Sequence, residues 1–272
     1  MTDPLLLVAL GAAVGGTAGK IAEKAWDSGE RWLRERFGSH STEVQEQARA
    51  NVAKFIEHLA ARVKALEDGQ RLDTKQLLET ESHPQFSAVL QRTLLNAAQT
   101  EDAKKHDLLA RLVAARLAVA TETTLALASG LATDAIARST GRQLTLMGLC
   151  CFLEDIRPRD PMPVPDYRRW LEIFLRRFTD FEFKGFDARH LVAIGCATYD
   201  LGSERDLNLL FEMKGGTHCI GASFQDIIEV DLLQFHWNEG LAGVSLTSVG
   251  SIVGGLAFDQ ITGGNSGMPE WD

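Results

Sequence analysis

The sequence predicts a mainly α protein, with an N-terminal helical bundle followed by a smaller α+β, winged-helix-like C-terminal domain. Three observations support this class. The first 157 residues are rich in the helix formers Leu, Ala, Glu, Arg and Gln. Apolar residues there recur at spacings of three and four. Clustered β-branched and aromatic residues, which favour strands, occur from residue 227 onward.

The opening segment, residues 4–19, carries no charged side chain. Three glycines are spaced by four within it: Gly11, Gly15 and Gly19. This spacing places them on one side of a helix, where the missing side chains let a second helix approach closely. Sixteen helical residues reach only about 24 Å, less than the ~30 Å hydrocarbon core of a bilayer. The segment therefore predicts a helix-association element, either inserted into a membrane as an oligomer or buried in the bundle.

Residues 21–37 continue this helix as an amphipathic stretch, with a bend expected at Gly15 and Gly16. Trp26 and Trp32 have basic neighbours, a combination typical of a membrane interface. Acidic residues on the same stretch cancel that positive charge and favour an ordinary bundle helix. Both interpretations keep the two tryptophans as candidate association residues.

Further helices are predicted at 42–66, from His83-Pro84 onward, at 100–137 and at 140–156. Four of the seven prolines fall within residues 157–165, which cannot sustain a helix. The sequence therefore predicts a bundle over residues 1–157, a Pro-rich linker at 158–165, a second domain at 166–261 and a flexible tail at 262–272.

The second domain should open with helices, then form a hairpin over residues 235–246 that turns at 238–240. Thr247 should cap a closing helix. Helices, a hairpin and a closing helix together favour the winged-helix-like module. The arginines of its first helix alternate with acidic residues, which predicts surface ion pairs more than a nucleic-acid patch.

The formal net charge of −9 is concentrated at the C-terminal end. Residues 191–272 carry 2 basic against 11 acidic side chains. Such a surface repels phosphate, which argues against nucleic acid as a partner.

The sequence contains no paired metal-ligand spacing and no phosphate-binding loop, so we nominate no catalytic, cofactor-binding or metal-binding residues and expect no cofactor. We predict a protein that is not an enzyme. The four cysteines are expected to be free thiols, since no regular disulfide spacing or cleavable leader is visible. The predicted location is the cytoplasm. Peripheral attachment to the inner membrane is the second location that the sequence allows.

Several short motifs resemble those of the abortive-infection alpha family of bacterial proteins: the stretch at 77–86, Leu144-Thr145, and the Leu-Thr-x-x-Gly at 246–250. The resemblance implies a role in defence against phage, in which the host cell is arrested or sacrificed. The first functional hypothesis is a non-enzymatic defence effector that self-associates and perturbs the inner membrane. The alternative is a soluble regulator whose C-terminal module binds a protein partner or, less readily, nucleic acid.

Overall fold

The computed structural model describes residues 16–69, 80, 83–120, 123–200, 202 and 205–264. The chain divides into two compact units between Arg138 and Ser139, called here the N-terminal and the C-terminal unit. The described residues form eleven α-helices and one two-stranded antiparallel sheet. This composition confirms the mainly α class with a small α+β part.

Five of the described helices lie in the N-terminal unit, and α2 forms the centre of their packing. It contacts α1, α3 and α4, while α5 packs on α3 and α4. The long side chains on the inner face of α2 are fully buried, among them Phe55, Ile56 and Leu59. The helices are α1 (Gly16–Phe37), α2 (Thr42–Asp68), α3 (Pro84–Ala98), α4 (Ala103–Leu117) and α5 (Thr124–Arg138).

Local sequence signals set the starts of these helices. Pro84 occupies the first turn of α3, and the His83 side chain accepts a hydrogen bond from the Gln85 backbone N–H at 3.3 Å. The predicted start of this helix is therefore confirmed. Asp102 caps α4 by accepting from the Lys104 backbone N–H at 2.9 Å.

Helix α1 starts at Gly16, whose φ of +61° lies in the left-handed region. A regular helix cannot pass through that conformation, which glycine adopts without a steric penalty. The predicted helix is observed from Gly16 to Phe37, while its part over residues 4–15 lies outside the described residues, so the structure does not test the expected bend. The Ala18 N–H donates to a Glu67 carboxylate oxygen at 3.4 Å, so a negative charge sits at the positive end of α1. Among the described helices, none is long and apolar enough to cross a membrane.

In its described residues, the C-terminal unit combines six α-helices with the small sheet. Its α-helices are α6 (Gly141–Glu154), α7 (Val164–Leu175), α8 (Gly185–Ala193), α9 (Leu207–Gly215), α10 (Ile228–Asn238) and α11 (Ser248–Thr262). The strands β1 (Ala197–Tyr199) and β2 (Val244–Leu246) pair antiparallel, with Ala197 opposite Leu246. Short 3₁₀ turns lie at Arg176–Phe178, Thr217–Cys219 and Leu241–Gly243. Thr247 caps α11 by accepting from the Gly250 N–H at 3.2 Å, as predicted.

The division between the units precedes the predicted linker at 158–165 by about twenty residues. Helix α6, assigned from sequence to the N-terminal bundle, belongs to the C-terminal unit because it packs along α11 and also contacts α8 and β2. The prolines connect α6 to α7 within one unit, and α7 already starts at Val164. Most of the predicted tail, residues 265–272, lies outside the described residues.

The predicted hairpin over 235–246 is wrong. Residues 228–238 form α10, and β2 pairs instead with β1, about 45 residues earlier in the chain. One face of α10 is buried through Val230, Leu233 and Trp237, and this packing overrides the strand preference of its β-branched and aromatic residues. The winged-helix-like interpretation depended on that hairpin and loses its basis.

Close contact between α6 and α11 forms the centre of the C-terminal unit. A Cβ atom on Gly254 would lie 2.5 Å from the Met147 carbonyl oxygen and 2.9 Å from Cys151 Cβ. A Cβ atom on Gly148 would lie 3.2 Å from the Phe258 backbone nitrogen. Each of the two helices therefore contributes a glycine, Gly148 or Gly254, to the contact. One turn further on, the rings of Phe152 and Phe258 stack with centroids 5.6 Å apart.

We predict that Gly254→Ala lowers the free energy of unfolding of the C-terminal unit by about 2 kcal/mol, since the added methyl group meets a backbone carbonyl that cannot rotate away. Gly141→Ala is the matched control, because nothing lies within 4 Å of its Cβ position. It should be neutral or stabilising by up to about 1 kcal/mol. Urea unfolding of both variants measures the difference, and equal stability would contradict the close contact.

Candidate helix-association site

The sequence-predicted association residues that the structure describes all lie on α1. Gly19 is buried, and Trp26 and Trp32 are half-buried. Gly11 and Gly15 lie outside the described residues, so the structure does not test the glycine row. The buried side of α1 also holds apolar side chains, including Ala18, Ile21, Ala22, Ala25 and Leu33. From Gly16 onward, α1 is therefore a bundle helix.

Gly29 is a glycine of α1 that side chains of two neighbouring helices contact. A Cβ atom there would lie 3.4 Å from both Val52 Cγ1 on α2 and Leu94 Cδ2 on α3. Gly29 lies within the amphipathic stretch predicted over residues 21–37. It lies outside the four-residue glycine spacing, and its partners are distant in sequence.

Trp32 lies between two grooves on the surface of the N-terminal unit. The larger, called the Trp32 groove, has a volume of 520 Å³ and is bounded by α1, α3 and α5. Its apolar lining comprises Trp32, Ala88, Val89, Leu95, Ala126 and Leu127. Arg92 also lines it, and its guanidinium lies 3.5 Å from the Asp134 carboxylate. The groove is thus mainly apolar, with its basic side chain placed beside an acidic one.

Helix α5 exposes one leucine in the lining of this groove, Leu127, and a second one turn further along, Leu131. Leu127 and Leu131 are each 59% exposed and lie four residues apart, on one face of α5. The second groove, with a volume of 310 Å³, lies on the other side of Trp32 between α1 and α3 and is lined in part by Lys24, Arg31 and Glu35. The two grooves differ in character, since the first is apolar and the second is charged at its edge.

A family model described only by the suffix "-like" matches residues 19–229, well over half of the chain. The chain belongs to that family. The description names no activity, ligand or partner, and nothing in it links the chain to the abortive-infection alpha family. All residues of the Trp32 groove lie inside the matched range. Neither the curated proteins nor the solved structures contain a significant match to this chain.

The four cysteines are free and buried in the C-terminal unit. Burial raises the pKa of each thiol: Cys150, Cys151, Cys196 and Cys219. A raised pKa keeps a thiol protonated at neutral pH and so suppresses its nucleophilicity. In the part of the chain that the structure describes, no group of three or more His, Cys, Asp or Glu side chains could hold a metal ion.

The arginines of α7 and the following turn form the ion pairs that the sequence favoured. The Arg168 guanidinium pairs with Asp226 and donates to the Ser223 carbonyl oxygen at 2.8 Å. Arg176 pairs with Glu229 at 3.1 Å. This part of the prediction is confirmed: two arginines of the basic stretch form ion pairs, one with a residue just before α10 and one with its first turn.

Lys214 is a buried lysine that the sequence pattern did not single out. Its ammonium group donates to the carbonyl oxygens of Phe152 and Ile156 at the end of α6 and lies 5.1 Å from the centroid of the Phe152 ring. Burial, with a further contribution from the positive charge of Arg157, lowers the pKa of Lys214 to about 7. Only the folded contacts across about sixty residues reveal this burial. The geometry identifies Lys214 as a cap on the C-terminal end of α6.

We expect Lys214 to make the free energy of unfolding depend on pH in the neutral to alkaline range. Its pKa falls from 10.5 in the unfolded chain to about 7 in the folded one, so between these values the unfolded chain holds the extra proton. The free energy of unfolding should therefore rise with pH across this window, by at most about 1.4 kcal/mol per pH unit.

Urea unfolding between pH 6.5 and 10 tests this. Lys214→Met should flatten the rise, whereas Lys184→Met, at an exposed position, should keep it. An unchanged slope in Lys214→Met would show that another group titrates.

Proposed function

We propose that this protein is a non-enzymatic effector that self-associates by placing the uncharged residues 4–15 of one copy in the Trp32 groove of another. The observation that carries the proposal is the apolar groove itself, with Trp32 at its edge and Leu127 exposed at its rim. An exposed apolar concavity of this kind marks an interaction site. A helix in a groove is a recurrent way of filling one.

The chemistry of the two surfaces supports this pairing. Residues 4–15 contain Leu5, Leu6, Leu7, Val8 and Leu10 and no charged side chain. Burying them in an apolar groove removes hydrocarbon from water without desolvating an ion. In the groove, Arg92 lies beside Asp134, so its charge is already partly compensated.

Distance favours a second copy over the same chain. Sixteen residues of helix separate Gly16 from Trp32, a rise of about 24 Å. Twelve residues in helical form span about 18 Å, so a helix of residues 4–15 folded back along α1 would end before Trp32 of its own chain. A neighbouring copy has no such restriction.

We assign this association to bacterial defence, as the resemblance of the short motifs implies. Self-association of a small helical effector provides a concentration-dependent response, because the oligomer forms only above its dissociation constant. The support for this assignment is the sequence resemblance, and the groove supplies a surface through which such a response would act.

Variants of the groove test the proposal through the oligomer mass of the full chain. Leu127→Glu places a charge in the apolar contact and should weaken association by at least tenfold, about 1.4 kcal/mol. Trp32→Ala should weaken it by a similar or larger factor, since buried tryptophans often dominate such contacts. Val44→Glu, at an exposed apolar position on α2 outside the groove, is the matched control.

Analytical ultracentrifugation should show oligomers for the full chain and for Val44→Glu, and a shift to monomer for the groove variants and for a deletion of residues 1–15. Growth arrest on expression in a bacterial host should follow the same order. A monomeric full chain, or one that binds lipid vesicles through residues 1–15 while the groove variants behave normally, would contradict the proposal and favour the membrane hypothesis.

A further inference from the structure

Helix α10 presents an apolar row to solvent on the C-terminal unit. Ile228, Leu232 and Phe235 are 74%, 48% and 60% exposed. Their spacing of four and three residues places them on one face of the helix. This set is called the α10 row. It has the i, i+4, i+7 pattern with which one helix contacts another.

The opposite face of α10 is fixed within the unit. Leu233 and Trp237 are buried there, and the Trp237 indole N–H donates to the Arg205 carbonyl oxygen at 2.6 Å. The ion pair between Glu229 and Arg176 links the start of α10 to the turn after α7. The row is therefore carried on a rigid helix, which lowers the entropic cost of binding.

Two exposed acidic side chains lie next to the row. Asp231 and Glu239 are exposed, lie beside the row on the helix surface, and form no ion pair with other described residues. Over residues 191–272, two basic side chains stand against 11 acidic ones. Both are already engaged: Lys214 at the end of α6, and Arg205 with the Glu154 carboxylate at 2.9 Å.

The acidic side chains beside the row indicate which kind of partner could bind there. A symmetric contact between two copies would bring Asp231 and Glu239 of both chains together, and like charges at such an interface oppose association. Acidic residues likewise disfavour an anionic membrane surface. A helix with an apolar stripe and flanking Lys or Arg would satisfy both the row and its acidic border.

We infer that the α10 row is a docking surface for a positively charged amphipathic helix of a partner protein. The eleven residues of α10 span about 16 Å, enough for about three turns of a partner helix. This surface lies on a different unit from the Trp32 groove and does not depend on the self-association proposed above.

The test uses the full chain and a fluorescent 18-residue peptide in which leucines form one helical stripe and lysines cover the remaining positions. The peptide should bind in fluorescence anisotropy, with affinity falling as salt is raised. Phe235→Ser and Asp231→Lys should each weaken binding at least tenfold. Met213→Ser, at an exposed apolar position on α9, should leave it unchanged.

Three outcomes would overturn the inference. The first is equal binding of a peptide with Glu in place of every Lys, because the acidic border would then play no part. The second is an equal loss of binding in Met213→Ser, which would indicate unspecific contact with apolar surface. The third is the absence of binding by the unmodified chain. Since the substituted side chains are exposed, near-ultraviolet circular dichroism should show an unchanged fold in every variant.

Discussion

Helix contacts made through glycine are the constraint on which the C-terminal unit depends. Because Gly148 and Gly254 lack side chains, α6 and α11 meet closely enough to stack Phe152 on Phe258. The end of α6 is thereby placed where one Glu154 oxygen accepts from the Leu246 backbone N–H at 3.0 Å and the other pairs with Arg205. Arg205 in turn donates to the Val244 carbonyl oxygen at 2.6 Å, so the small sheet depends on the same contact.

The sequence predicted the helix starts, caps and amphipathic faces that a few neighbouring residues determine. The His83-Pro84 start of α3, the Thr247 cap of α11 and the amphipathic face of α1 belong to this group. They were predictable because a cap or a stripe acts within one or two helical turns. The helices at 42–68 and 84–98 followed from the same periodicity.

Features that depend on distant partners were missed for a physical reason. The domain boundary was misplaced because the partner of α6 is α11, about a hundred residues further along the chain. Helix α10 was taken for strands because its residue types favour strands, while its buried face on the unit decides the conformation. The Trp32 groove needs α3 and α5 beside α1, and only Trp32 itself could be nominated from sequence.

Each unit carries one proposed interaction surface, and the proposed function rests on the Trp32 groove of the N-terminal unit. Cysteine crosslinking tests it most directly, since the native cysteines are all buried. Copies carrying Leu7→Cys are mixed with copies carrying Leu127→Cys or, as the control, Val44→Cys, and are then oxidised. If residues 4–15 bind in the groove, a disulfide between two copies forms with Leu127→Cys and little or none forms with Val44→Cys. Equal crosslinking of both mixtures, or none with Leu127→Cys, would contradict it.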